Sequence, residues 1–152
     1  MNSMFYAYDN NINFELDQCL CGIEAQLDKR TDVTRMLYTK TGKFIGVQVR
    51  YKMPFSLYFN LHETQGRQDL VDFVANSTIV FKVNNTSHKT ILEKAFAGFE
   101  IFNPITNDLC VTLTQQDVLG LQQESYRIEL DLINDEDLYP LFNEFDTYLV
   151  IR

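Results

Sequence analysis

From Tyr126 to Leu132 the chain alternates without a break: Tyr126, Ile128, Leu130 and Leu132 are apolar, and Arg127, Glu129 and Asp131 between them are charged. Side chains along a strand have a period of two, so this order builds one dry face and one wet face. On a helix the same four apolar side chains would be scattered around the circumference and no stripe could be buried. The stretch therefore predicts a half-buried strand.

The same period recurs through most of the chain. Ile45, Val47, Val49 and Tyr51 alternate with Gly46, Gln48 and Arg50, and Phe55, Leu57, Phe59 and Leu61 alternate with polar residues up to His62. Pro54 between the two fits a strand start, an edge or a bulge, because it cannot donate to a ladder. Ile79, Phe81 and Val83 mark another strand, residues 89 to 96 run back from the Asn84 to Ser87 turn, and Phe99, Ile101 and Phe102 make a short strand. Leu109, Val111 and Leu113 supply a further one, residues 115 to 119 one helical turn, and Tyr148 to Arg152 the last strand. Short strands separated by turn signals about every 8 to 12 residues predict an all-β antiparallel β-sandwich of seven to eight strands.

The front of the chain has a different rhythm. Leu16, Leu20, Ile23 and Leu27 fall at intervals of four, three and four, which is one face of a helix, although Gly22 disfavours it. Val33, Met36 and Leu37 fit a second helical turn. Residues 1–42 are thus expected to form an arm that is partly helical, and residues 43–152 the sandwich. Phe5, Tyr6, Tyr8, Ile12 and Phe14 lie in an Asn-rich setting and need a surface to rest on, either their own domain or a partner.

At 152 residues, 45% hydrophobic and 22% charged, the composition is that of one globular domain. A net charge of −8 disfavours a nucleic-acid partner, since phosphate binding needs surplus Lys and Arg. The charge is unevenly placed. Lys29, Arg30, Arg35, Lys40, Lys43, Arg50 and Lys52 stand against Asp32 alone between residues 29 and 52, whereas eleven carboxylates face only Arg127 and Arg152 from residue 100 onward. A chain basic in front and acidic behind can steer toward a copy of itself or toward a neighbour of other charge. No basic region followed by an apolar run opens the chain, and no apolar stretch reaches the roughly 20 residues that span a bilayer, so neither a secretory signal nor a membrane contact is expected.

Chemistry is not written in the motifs. Cys19, Cys21 and Cys110, with two scattered His, fall short of a zinc set, and free thiols are expected. His62-Glu63 lacks a second His four residues on, because Gly66 stands there, and its alternation says strand rather than helix. The oxygen-rich run Asn134 to Asp137 lacks the Gly and terminal Glu of a calcium loop and reads as a solvated turn. Glu129 and Asp131 are expected on the wet face, both ionised, and so not as an acid–base pair. Neither a nucleophile elbow nor a phosphate-cradling Gly loop is present, and the chain is expected to be non-enzymatic, without cofactor or metal. Tyr6, Tyr8, Tyr38, Tyr51 and Tyr58 fit core or edge packing, or a binding face.

Taken in order, the segments Pro54 to Leu61, Asp69-Leu70, Ile79 to Val83, Asn103-Pro104 with Val111 to Thr114, Tyr126 to Leu132, and Tyr148 to Ile151 form a series. This series resembles the N-terminal β-sandwich domain of the upper baseplate proteins of siphophages, a module also found at the base of tail and head fibres. The resemblance covers about two-thirds of the chain, residues 54–152. Two positions depart from it: Lys52-Met53 where the family tends to have Gly-Asp, and Glu124-Ser125 where it tends to have Gly before the Tyr. What the resemblance implies is a virion structural protein, made in the host cytoplasm, that docks on other virion proteins in a symmetric assembly of several copies. In the family a fibre or receptor-binding region follows this domain, and an adapter is expected here because the sequence ends at Arg152. The expected interface residues are Phe5, Tyr6, Tyr8, Ile12, Phe14, Lys29, Arg30, Arg35 and Lys40. The alternative expectation is a carbohydrate-binding module that recognises host-surface glycans through exposed Tyr and acidic residues.

Overall fold

A computed structural model describes residues 21–28, 35–142 and 147–152. Among these residues the chain forms eleven strands: β1 (Ile23–Leu27), β2 (Arg35–Tyr38), β3 (Phe44–Val49), β4 (Phe55–Glu63), β5 (Thr78–Asn84), β6 (Thr90–Ala97), β7 (Phe102–Asn103), β8 (Asp108–Leu113), β9 (Ser125–Asn134), β10 (Asp137–Pro140) and β11 (Tyr148–Ile151). Three short helical pieces interrupt them, α1 (Leu70–Ala75), α2 (Gly98–Ile101) and α3 (Gln115–Val118). The smaller sheet has the order β1-β4-β8-β7, and the larger has β2-β3-β11-β9-β5-β6, with β10 pairing β9 beside that path.

The alternation that predicted the strands also sets which side is dry. Phe55, Leu57, Phe59 and Leu61 of β4 are buried, as are Leu109, Val111 and Leu113 of β8. They meet Ile79, Phe81 and Val83 of β5 and Tyr126, Ile128, Leu130 and Leu132 of β9 from the other sheet. Phe59 and Phe81 join the two layers, ring centroids 6.3 Å apart, and Phe59 also touches Phe142 at 5.7 Å. Each fully buried Leu, Ile or Phe contributes about 1.5–3 kcal/mol, so this interlayer seam is the main source of stability.

Strand β9 is the spine of the larger sheet. Seven residues of β5 pair along one of its edges, from Thr78 opposite Ile133 to Asn84 opposite Arg127. Its other edge is shared, with β11 against Ser125 to Arg127 and β10 against Asp131 to Asn134. The sandwich is all-β as expected, with two differences: eleven strands rather than seven or eight, and one parallel pair, β3 with β11. Gly46 lies opposite Tyr148 in that pair, and a Cβ there would overlap the Tyr148 carbonyl, so the close approach depends on glycine.

The expected helices at the front are strands where they are described. Ile23 and Leu27 lie in β1, which pairs with β4, and Met36 and Leu37 lie in β2, which pairs with β3. Leu16, Leu20 and Val33 lie outside the described residues. The apparent helical stripe failed on Gly22, which takes φ +75° and turns the chain into β1. Ile23 and Ala25 then enter the core two residues apart, and the backbone is satisfied by a neighbour far along the chain. The described part of residues 1–42 therefore contributes one strand to each sheet and does not stand off as an arm.

The stretch from Phe99 to Phe102 also differs from the strand expected of it. Gly98 to Ile101 forms a single helical turn, and only Phe102–Asn103 is extended. Here the chain leaves β6 in one sheet for β7 in the other. The corner is tight: the Gly98 N–H donates to the Ser77 carbonyl at 2.8 Å, and a Cβ on Gly98 would run into the Val74 carbonyl. Nothing in the periodicity of residues 70–76 announced α1, which closes one end of the core with Leu70 and Val74. Arg67 fastens that end. Its guanidinium lies 3.7 Å from the Phe73 ring centroid and donates to the Cys21 carbonyl at 2.8 Å.

Candidate functional site

Two surfaces of the larger sheet carry side chains capable of recognition. The first is its β2 edge. Among the described residues no strand lies beyond β2, which pairs with β3 through Arg35 to Tyr38. Arg35 and Lys40 are exposed there, and Tyr38 is 47% exposed with its ring 5.6 Å from that of Phe44. The turn that follows is held by the Thr39 side chain, which accepts from the Lys43 N–H at 3.0 Å. An edge like this offers backbone donors and acceptors to another strand, framed by positive charge. Of the nine expected interface residues, Arg35 and Lys40 share this edge, while Phe5, Tyr6, Tyr8, Ile12, Phe14, Lys29 and Arg30 lie outside the described residues.

The second surface is the outer face of β5, β9 and β10. Register puts Lys82 opposite Glu129 and Asn84 opposite Arg127, all pointing away from the core. Pro140 of β10 lies opposite Asp131, and Leu138 opposite Ile133. Lys82, Asn84, Arg127, Glu129, Asp131, Leu138 and Pro140, with His88 from the β5–β6 turn and Phe142, line a groove of about 460 Å³. Its polar groups are tied to each other. The Lys82 ammonium is 3.6 Å from Asp131, the Asn84 side-chain amide donates to Glu129, and the Thr90 hydroxyl donates to the Asn84 side-chain oxygen Oδ1 at 2.8 Å. The Arg127 guanidinium sits 5.8 Å from the Tyr148 ring centroid.

The two carboxylates of this groove were expected to be alike, and they are not. Glu129 is exposed, but Asp131 is only 4% exposed although it is on the outer face. Burial pushes its carboxyl above the usual range, the Lys82 charge pulls it back, and Glu129 and Glu93 push it up again. Sequence reasoning could place Arg127, Glu129 and Asp131 on one face. It could not supply Lys82 and Asn84, which reach that face only because β5 pairs with a strand some fifty residues later.

The remaining sequence candidates fall as follows. His62 is exposed on β4, outside any helix. Cys21 is buried and Cys110 half-buried, neither in a disulfide, and Cys19 lies outside the described residues. The Asn134 to Asp137 run is the β9–β10 turn, with Asp135 and Glu136 exposed at φ 50° and 72°. Tyr51 is 36% exposed in a turn beyond β3, and Tyr58 is half-buried on β4. Among the described residues no helix is long and apolar enough to cross a membrane.

No protein-family model matches the chain, and no curated protein does. Among solved structures, the β-glucuronidase of Parabacteroides merdae, determined with glycerol in its active site, superposes on 86% of this chain at 8% identity and a TM-score of 0.41. The match spans 14% of that enzyme's chain. A likeness at this level carries no argument about activity.

Proposed function

We propose that this chain is a non-enzymatic structural protein of a phage virion, an adapter or docking subunit of a tail, baseplate, collar or fibre base. It binds neighbouring virion proteins and assembles in several symmetry-related copies. The observation that carries the reading is the β2 edge, where the outermost of the described strands is flanked by exposed Arg35 and Lys40. Strand addition gives such an edge affinity through main-chain hydrogen bonds, and its basic residues select an acidic neighbour. The chain itself carries an acidic counterpart, the exposed Asp135, Glu136 and Asp137 of the β9–β10 hairpin.

The resemblance to the siphophage upper-baseplate domain supports the same reading. Its stretches are discrete elements here: Pro54 to Leu61 leads into and forms β4, Asp69-Leu70 opens α1, and Ile79 to Val83 is β5. Asn103-Pro104 leaves β7 for β8, Tyr126 to Leu132 is β9, and Tyr148 to Ile151 is β11. One departure from the family has a visible consequence: Lys52, where the family tends to have Gly, adopts φ +63°.

The test has two arms. Mass spectrometry of gradient-purified particles should find the chain at fixed stoichiometry. The native mass of the pure protein, alone and mixed with the products of adjacent genes, should show complexes that Arg35→Glu with Lys40→Glu weakens. A chain absent from particles and monomeric with every neighbour would overturn the proposal.

A further inference from the structure

We infer that the groove across β5, β9 and β10 is a binding site for a neutral saccharide. This takes up the carbohydrate reading and does not rest on the virion role, so either can fail without the other.

Charge is the first argument. Lys82 and Arg127 face Glu129 and Asp131 along the groove, so with histidine taken as neutral its formal charge is zero. A free anion would meet two carboxylates and a free cation two positive groups, and both pay desolvation without a clear partner. The internal pairings of Lys82 with Asp131 and of Asn84 with Glu129 and Thr90 leave spare lone pairs and N–H groups rather than spare charge. A sugar hydroxyl both donates and accepts, and it suits a row in which donors and acceptors alternate.

Shape is the second. Beside the charged row, on the neighbouring strand, the flank is apolar: Leu138 and Pro140 stand next to Ile133 and Asp131, Leu138 is 52% exposed, and Phe142 lies at the end of the groove. An apolar flank beside a few fixed polar groups is the usual make-up of a small-ligand site, and about 460 Å³ falls within the roughly 300–1,000 Å³ such sites occupy. The C–H face of a pyranose would lie on the flank while its hydroxyl edge reaches Glu129 and Arg127. The floor is also preorganised: its polar side chains stand on paired strands and are held by each other, which limits the ordering cost of binding.

The experiment titrates the isotope-labelled full chain by two-dimensional NMR with glucose, galactose, N-acetylglucosamine, cellobiose, lactose and chitobiose. Inorganic phosphate and glycine serve as charged and zwitterionic comparisons. Expected are saturable shifts at residues 82–84 and 127–131 with at least one sugar, weakened about tenfold or more by Glu129→Ala and by Arg127→Ala. Arg35→Glu, on the distant edge, should leave them unchanged. Should an alanine variant lose its dispersed spectrum, Glu129→Gln, which keeps the side chain's shape, takes its place with a loss still expected. No saturable shift with any sugar, shifts insensitive to these variants, or stronger shifts with phosphate or glycine would overturn the inference.

Discussion

Lys94 and Asp117 are 2.7 Å apart and join the two sheets at one rim. Lys94 stands on β6, the last strand of the larger sheet, and points to the core side, where its ammonium also donates to the Thr112 carbonyl of β8 at 3.2 Å. Asp117 belongs to α3 and completes a capping box with Thr114, whose side chain accepts from the Asp117 N–H while Asp117 accepts from the Thr114 N–H. One carboxylate thus caps a helical turn and fastens a strand.

The acid dependence of stability should reflect that carboxylate. Burial raises the Asp117 pKa, but the Lys94 contact and the Thr114 hydrogen bonds outweigh it, so the folded value lies below 3.8. A depressed folded value means stabilisation that is full above the unfolded value and disappears as pH falls through the folded one. Urea midpoints of the wild type should therefore drop below about pH 4, and Asp117→Asn should start lower at neutral pH and show a shallower drop. Thr114→Ala, which removes the cap and the hydroxyl hydrogen bond to the Asp117 carboxylate but leaves the Lys94 contact, should cost about 1 kcal/mol.

Asp131 should behave in the opposite sense. Its folded value is raised, with burial as the first cause, so its contribution is full below 3.8 and is lost as pH rises through the folded value. Asp131→Asn should remove that loss and leave the protein at least as stable as wild type at neutral pH. Lower stability of the variant at pH 7 would mean the Lys82 contact outweighs the cost of burial.

Tyr126 should matter through its oxygen as well as its ring. The phenol is buried and accepts from the Gln122 N–H at 2.8 Å, pinning the loop before β9 to the strand itself. Tyr126→Phe keeps the packing and removes the acceptor, and should cost about 0.5–1.5 kcal/mol in urea unfolding with an unchanged m-value.

The β9–β10 turn leaves room for improvement. Asp135 and Glu136 both adopt positive φ in a two-residue hairpin loop, a geometry that Asn-Gly accepts with little strain. Glu136→Gly combined with Asp135→Asn should raise stability by about 1 kcal/mol, read as a higher midpoint. A lower midpoint would show that the acidic pair makes a contact worth more than the strain.

Ile23 tests whether β1 belongs to the sandwich. Its side chain is fully buried and touches the core, so Ile23→Ala should cost about 2–5 kcal/mol. A detached arm would show almost no effect, and deletion of residues 1–42 would then leave a folded domain.

Period-two patterning in the sequence determined the strand identity of β4, β5, β8 and β9 and the dry face of each, because a side chain's face follows from its place in a pleated backbone. It also made β9 legible as the central element, since its strict alternation leaves no other way to bury four apolar side chains. Ile23 and Leu27 differ from the helical expectation because residues four apart share a face in a strand as well as in a helix, and Ala25 between them completes the dry face of β1. The groove was only half legible: Arg127, Glu129 and Asp131 could be placed on one face of β9, whereas Lys82 and Asn84 arrived there through pairing with β5. The burial of Asp131, the parallel pairing of β3 with β11 and the corner at Gly98 were decided by tertiary structure alone. Each is a contact between segments distant in the chain, and local periodicity carries no information about which partner a strand's free hydrogen-bonding edge will find.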